Sequence, residues 1–393
     1  MNKDEYKKIY EDRLNSENSV KLDYTIKGYP AFYVVTKEVS ELTCDILRLD
    51  KEALKLVNEL PGVALNSYKK KSLIEEIVIT NKIEGVHSTR KEVGDTLDIL
   101  EKQSANKSKQ HRFSGMVERY KKLDKNEPIA IETCEDIRHL YDEIVLEEVI
   151  KEDPENMPDG TLFRKELSHI IGENGSAIHV GKEPEAKIIE FMDKALKYLN
   201  DDNEEILYRA CIFHYMLEDI HPFYDGNGRL GRFILSNTLS RDLQPIITCN
   251  LSVAIKDNIN NYYKAFTISE DKLNCGDLTP FLISMLSIIK AAYKKVVDSL
   301  SESAYLLEEN SKKIPKLYNG NDESVNNLYF ILLQATLFSE NGISTADLEK
   351  NMNITYVTLK KKLEIIDKRG MLITRKIGKK IYYALNMDKM HNA

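Results

Sequence analysis

Glycine and proline are scarce in this chain, 17 and 10 of 393 residues, while 30% of residues are charged. So thin a supply of turn formers argues against a fold of many short strands and favours long helices. The five cysteines, at positions 44, 134, 211, 249 and 275, form no CxxC pair and no metal-like spacing with histidine. That excludes a disulfide framework and a zinc site, and leaves reduced thiols. No apolar run reaches membrane-spanning length, and the N-terminus, MNKDEYKKIYEDR, is too charged for a signal peptide. The expected compartment is the cytoplasm, with no membrane partner. There is no internal repeat. The length allows two or three domains with ample core.

What the chain does hold is concentrated in residues 221–232, HPFYDGNGRLGR. Gly226 and Gly228 flank Asn227, so the backbone can turn sharply and approach a ligand without side-chain obstruction. RFILSNTLS, from Arg232, reads as helix, and the free N–H groups of a helix N-terminus make a phosphate seat. Arg229 and Arg232 share one face of that helix and suit phosphate oxygens. Asp225 is a hard oxygen ligand of the kind Mg²⁺ shares with phosphates. His221 is a candidate general base near neutral pH. Taken singly, the turn, the histidine and the Asp–Arg spacing are explained as well by ordinary structure. Together they converge on one phosphate-sized target.

The same string resembles the Fic family. It meets the pattern H-x-F-x-[D/E]-G-N-G-R-x-x-R at every specified position: His221, Phe223, Asp225, Gly226, Asn227, Gly228, Arg229 and Arg232. The likeness extends upstream through EEILYRACIFHYMLEDI and downstream through NLSVAIKDNINNYYKAF. Most members transfer AMP from ATP to a hydroxyl side chain of a protein, releasing pyrophosphate. The resemblance therefore implies ATP as substrate, Mg²⁺ on Asp225, and a protein partner with a Ser, Thr or Tyr hydroxyl. It implies that His221 deprotonates that hydroxyl. Asn227 and the N–H groups around Gly226 and Gly228 would stabilise charge on the α-phosphate. Arg229 and Arg232 would bind the β- and γ-phosphates. Phe223 is expected in the core, aiming the loop.

A second feature lies at 72–85, SLIEEIVITNKIEG. Leu73, Ile77, Thr80 and Glu84 share one helical face, so Glu84 lies in line with core residues and needs a partner. By periodicity alone, a helix-end glutamate bending to solvent, or a structural ion pair, is the better explanation. Thr80-x-x-x-Glu84-Gly85 also resembles the family's inhibitory motif, [S/T]-x-x-x-E-[G/N]. There the glutamate pairs with the second arginine of the motif, here Arg232, and competes with the γ-phosphate. The resemblance thus implies a self-restrained enzyme, with the pairing made within the chain or from the second copy in a homodimer. In some relatives that glutamate positions a water that removes AMP, which admits a bifunctional enzyme.

Residues 160–182 hold two short apolar stretches around Gly172-Glu173-Asn174-Gly175, a hairpin pattern. In the family a flap here lines up the target by strand addition; an ordinary surface hairpin is the plainer reading. Tyr262 and Tyr263 match a position near the family's adenine pocket and read equally well as core aromatics. His214, on an apolar-periodic helix, is expected to be a satisfied core residue, and the remaining histidines form no ligand constellation.

Four segments are expected: a helical N-terminal module with the inhibitory helix over 1–110, a Fic core over 111–300, a helix end and linker over 301–324, and a winged helix-turn-helix over 325–393. The polar stretch EKQSANKSKQ should be a loop closing the first. Between Ile343 and Asn386, ten Lys and Arg face four acidic residues, a net of +6 in a chain of −7. Helical stretches there precede two strands, MLITRK and KIYYAL, with Leu359, Leu363 and Ile366 inward and Lys360, Lys361 and Lys362 outward near Lys379 and Lys380. DNA is the sharp partner for such a tail; dimerisation or holding a protein target is the plain one.

The fold class is thus mainly α, a helical Fic core with a small β-hairpin flap and a winged helix appended. Two functions follow. One is an AMP transferase restrained by Glu84; the other is a DNA-binding regulator that uses the Fic domain as a nucleotide sensor. The intact catalytic residues favour the first.

Overall fold

The computed structural model describes residues 3–102, 111–167, 169–171, 177–318, 320 and 322–391. The expected loop at 103–110 lies outside them. Contacts divide the chain into two units, Met1–Asp50 with Leu73–Lys294, and Lys51–Ser72 with Lys295–Ala393.

In the first unit, α1 (Lys3–Leu14) leads into an antiparallel hairpin, β1 (Ser19–Ile26) and β2 (Tyr29–Val34), within a module expected to be helical. Alternation explains the departure. Leu22, Tyr24 and Ile26 are buried while Lys21, Asp23 and Thr25 are exposed. Lys27 and Gly28, with φ of 49° and 89°, make the tight turn that matches strand twist. Three long helices, α2 (Lys37–Glu59), α3 (Gly62–Ile83) and α13 (Thr279–Ser311), each run through a division between units.

The first unit continues with α4 (Arg90–Lys102), α5 (Ser114–Asp124), α6 (Cys134–Ile144) and α7 (Leu146–Glu152). A capping box starts α6: the Thr133 side chain accepts the Asp136 N–H, and Asp136 accepts the Thr133 N–H in return. The expected flap is present as β3 (His169–Ile171) paired antiparallel with β4 (Ala177–Val180); its turn lies outside the described residues. After it come α8 (Glu185–Leu199), α9 (Ile206–Ile220), α10 (Asn227–Leu239), α11 (Leu251–Asp257) and α12 (Ile259–Glu270).

The centre of this unit is α9 and α10. Every residue of α10 is buried, and every residue of α9 but Glu218. ILYRACIFHYMLEDI has almost no polar face, so it has nowhere to lie but inside. The polar residues of α10 must therefore find partners within the protein. Asn237 exchanges two hydrogen bonds with the Ile129 backbone, both at 2.9 Å, and Ser236 donates to the Thr248 carbonyl at 3.1 Å.

The second unit carries α14 (Ile314–Leu317), α15 (Glu323–Phe338), β5 (Ile343–Ser344), α16 (Thr345–Met352), α17 (Tyr356–Asp367), β6 (Leu372–Ile377), β7 (Lys380–Leu385) and α18 (Met387–His391). Its antiparallel sheet has the order β5-β7-β6. The two expected strands meet at Gly378, where φ is 61°. The third, β5, is two residues long and too short to show a period. Leu359, Leu363 and Ile366 are buried, and Lys360 and Lys361 are exposed. Lys362 pairs with Asp322.

Candidate functional site

Helix α9 ends at Ile220 because His221 takes a left-handed backbone, φ 51°, and a proline follows. A non-glycine residue holds that conformation only where its surroundings fix it. Arg164 does much of the fixing. Its guanidinium, fully buried, donates to the carbonyls of His221 at 2.8 Å, Lys182 at 3.0 Å, Glu166 at 2.5 Å and Ile220 at 3.4 Å. The base of the flap and the end of α9 are thereby tied together. The chain passes close here because residue 181 is glycine; a Cβ there would overlap Arg164. The His221 ring lies with Nδ1 3.9 Å from Glu218 Oε2.

The loop beyond His221 is held from both sides. Phe223 is buried and stacks on Tyr141, ring centroids 3.6 Å apart, with Phe163 edge-on at 5.5 Å. The Asn227 amide donates to the Phe223 carbonyl at 2.8 Å and accepts its N–H at 3.0 Å, so the side chain itself closes the loop. Tyr224, at an unspecified position of the motif, donates to Asp159 at 3.0 Å and accepts the Glu166 N–H at 3.1 Å. Gly226 has φ 84°, and a Cβ on it would overlap Val145, so this position needs glycine on both counts.

Three charged groups surround the first turn of α10. Asp225 accepts the Gly226 N–H with Oδ1 at 2.5 Å, and its Oδ2 stands 3.6 Å from Arg229. Arg229 is 1% exposed, and none of its three nitrogens has a hydrogen-bond partner among the described residues. Arg232 is also buried and is fully engaged by α3. Its Nε donates to Thr80 Oγ1 at 2.8 Å, Nη2 to the Thr80 carbonyl at 3.0 Å, and Nη1 pairs with Glu84 Oε1 at 2.8 Å. Burial disfavours charge on Arg232, but Glu84, with Tyr262 and Glu218 adding to it, outweighs burial and holds the guanidinium protonated.

Glu84 follows the last residue of α3, where the helix dipole disfavours an acid, and Gly85 turns the chain away with φ 75°. Arg232 offsets that cost. The carboxylate lies against the backbone of α10's first turn, and a Cβ on Gly228 would overlap it. A carboxylate thus stands over the first turn of α10. The contact is made within one chain.

Tyr262 is buried and its hydroxyl lies 2.7 Å from His214 Nε2, while Tyr263 is 51% exposed, the two rings 5.3 Å apart. Burial, then Glu84, raises the Tyr263 phenol. His214 is buried against Tyr262; burial, then Arg232, pulls its imidazole down to about 3. Sequence reading passed over Arg164, Tyr224 and Glu76. The last is a fully buried carboxylate that accepts the Ser252 N–H.

No group of three or more metal-ligating side chains occurs among the described residues. Asp225, 34% exposed on its side chain, fits a Mg²⁺ ion that draws its remaining ligands from phosphate and water. The Arg229 guanidinium, paired loosely with Asp225 and making no hydrogen bond among the described residues, fits a polyphosphate on the same turn.

Residues 132–239 match the Fic/DOC family profile, so the chain carries a Fic/DOC domain. Protein adenylyltransferase Fic of Drosophila yakuba is 28% identical over 256 residues, 63% of this chain and 46% of that protein. Protein adenylyltransferase fic-1 of Caenorhabditis briggsae is 28% identical over 134 residues, 32% of this chain and 24% of its own length. The chain thus spans less than half of the curated relatives it matches. A Fic family protein from Desulfovibrio desulfuricans shares the fold, with a TM-score of 0.53 and 20% identity over 90% of this chain and 97% of its own. Among the described residues no helix is long and apolar enough to cross a membrane.

Proposed function

We propose that this chain transfers AMP from ATP to a hydroxyl side chain of a protein, and that Glu84 restrains it. The observation that carries the reading is the Glu84 carboxylate held by Arg232 against Gly228, an internal anion in a phosphate cradle. Arg229, buried with its donors unused, supports the same reading.

In this mechanism His221 takes the proton of the target hydroxyl. The freed oxygen bonds to the α-phosphorus as the bond to pyrophosphate breaks, and pyrophosphate leaves in line. The N–H groups of α10's first turn meet the charge that builds on the α-phosphate. Asn227 keeps those groups in place through its two bonds to Phe223. Arg229 and Arg232 take the outer phosphates, the second only after Glu84 has left it. Mg²⁺ on Asp225 would neutralise phosphate charge. Tyr262 and Tyr263 flank the adenine side. The flap pairs with the target chain through the β4 edge. In the reverse direction Glu84 would orient a water against the AMP–protein bond.

The test is ATP labelled at the α-phosphate, given to wild type, Glu84→Gly and Glu84→Gly/His221→Ala, with the enzyme and added lysate proteins scored for covalent label. Label should rise in the single variant and fall by roughly 10²–10⁴-fold in the double. No label in any folded variant refutes the reading.

A second function is favoured by the second unit alone. Its helix–strand–helix–helix–strand–strand order, with the sheet β5-β7-β6, supports the reading of a winged helix-turn-helix. At the start of α17, Tyr356 and Val357 are 45% and 65% exposed beside exposed Lys360 and Lys361. A regulator that docks this face on DNA predicts a salt-sensitive gel shift, weakened by Lys360→Glu/Lys361→Glu. No binding at low salt refutes it.

A further inference from the structure

Two turns before Glu84, on the same face of α3 as Thr80, lies Glu76. It is 0% exposed. Both its oxygens accept one N–H, that of Ser252 in the first turn of α11, at 3.0 Å each. The Tyr120 hydroxyl of α5 stands 3.5 Å from Oε1, beyond a good hydrogen bond. From α10, Arg232 acts on it through charge but at a greater distance than it does on Glu84. Burying a carboxylate is costly, and the N–H groups of Ser252 and Val253 together with the charge of Arg232 offset part of that cost.

The placement of Glu76 gives it a use. The stretch of α3 from Leu73 to Ile83 is fastened at two points on two different helices. Thr80 and Glu84 hold α10 through Arg232, and Glu76 holds α11 through Ser252. One fastening leaves a helix free to roll about its axis and slide along it. Two fastenings a turn or more apart fix both, and Glu84 then reaches Nη1 of Arg232 without search. We propose that Glu76 is a positioning residue of the brake, holding α3 in the register that delivers Glu84 to Arg232. The idea rests on the AMP-transfer reading above. Burial pushes the Glu76 carboxyl up to about 7, and its bonds to Ser252 and Val253 pull against that shift and hold the group in place.

The experiment compares Glu76→Gln, Glu84→Gly and the double variant with wild type, using ATP labelled at the α-phosphate. Glu76→Gln should raise labelling about 3- to 10-fold, although Glu84 and Arg232 are untouched. In the Glu84→Gly background the same change should alter the rate less than about twofold, because nothing remains to be positioned. A merely structural role lowers the rate in both backgrounds and overturns the proposal, as does an unchanged single variant. Hydrogen exchange of the Ser252 amide and of α3 from Leu73 to Ile83 gives a readout apart from activity. Faster exchange in folded Glu76→Gln is expected, and unchanged exchange overturns the fastening. If Glu84→Gly gives no label, it is the transfer reading that fails, and exchange alone decides whether Glu76 holds α3.

Discussion

Replacing Glu84 by glutamine rather than glycine separates two parts of the proposed restraint. The carboxylate acts on Arg232 through charge, at 2.8 Å, and it also fills the space over Gly228. Glutamine keeps the size and one acceptor oxygen but loses the charge. A hydrogen bond to a charged group contributes about 1.5–3 kcal/mol, and one with a neutral partner about 0.5–1.5. Glycine removes the whole contribution, so the competent fraction of sites should rise roughly 10- to 150-fold while the restrained state dominates. Glutamine removes only the difference, about 1–1.5 kcal/mol, or roughly 5- to 12-fold. Thr80 continues to hold Arg232 at 2.8 and 3.0 Å in both variants, so the guanidinium stays in place. The assay is the initial rate of label transfer from α-labelled ATP at subsaturating nucleotide. A glutamine variant within twofold of wild type would refute the charge argument. One as fast as the glycine variant would refute the argument from occupied space.

Arg229→Met should abolish the rise in thermal midpoint that Mg-ATP gives the wild type, while raising the ligand-free midpoint. A buried guanidinium without hydrogen-bond partners costs about 1–3 kcal/mol, and each kcal/mol is worth roughly 2–4 °C in a unit of this size. A drop of more than about 2 °C, or a nucleotide shift like wild type's, counts against it. In pH dependence, Glu76 and His214 pull in opposite directions. Burial raises Glu76 from 4.5 to about 7, so its contribution is full below 4.5 and lost as pH rises through 7. Burial, then Arg232, lowers His214 from 6.5 to about 3, so its contribution is full above 6.5 and lost as pH falls through 3. Glu76→Gln removes the first alone. Between about pH 5 and 6.5 the stability of the variant should therefore fall toward acid more steeply than wild type, by up to one proton, about 1.4 kcal/mol per pH unit. Parallel curves would refute it.

Reading the residues of 221–232 together pointed to a phosphate-binding turn, because three glycines, two arginines and a carboxylate within twelve positions leave few alternatives. Sequence reading lost Glu76, although its phase was available. Glu75 and Glu76 are adjacent and chemically identical, yet Glu75 lies outward with Arg90 at 2.7 and 2.9 Å while Glu76 is wholly buried. Counting back four from Thr80 lands on Glu76. Leu73 and Ile77 drew the eye instead, because apolar residues define a face and a glutamate is assumed to leave it. The β1–β2 hairpin was missed for a related reason: a long charged, glycine-poor region suggests helix, and the alternation VKLDYTI was outvoted by its neighbourhood. Arg164 carried no signal at all. Its four acceptors are main-chain carbonyls, which every residue has, so no sequence pattern marks them. The division into units was hidden because it falls inside helices, where composition does not change.

Under the proposed restraint, Glu84 and Arg232 belong to one chain, so the carboxylate over Gly228 acts as a tethered ligand, and tethered ligands do not obey dilution. Its local concentration is set by the geometry of α3 and stays the same at nanomolar or millimolar protein. Nucleotide, by contrast, competes at its bulk concentration. Activity per molecule should then depend on the ATP supply and on how firmly α3 is seated, and be indifferent to how much of the protein is present.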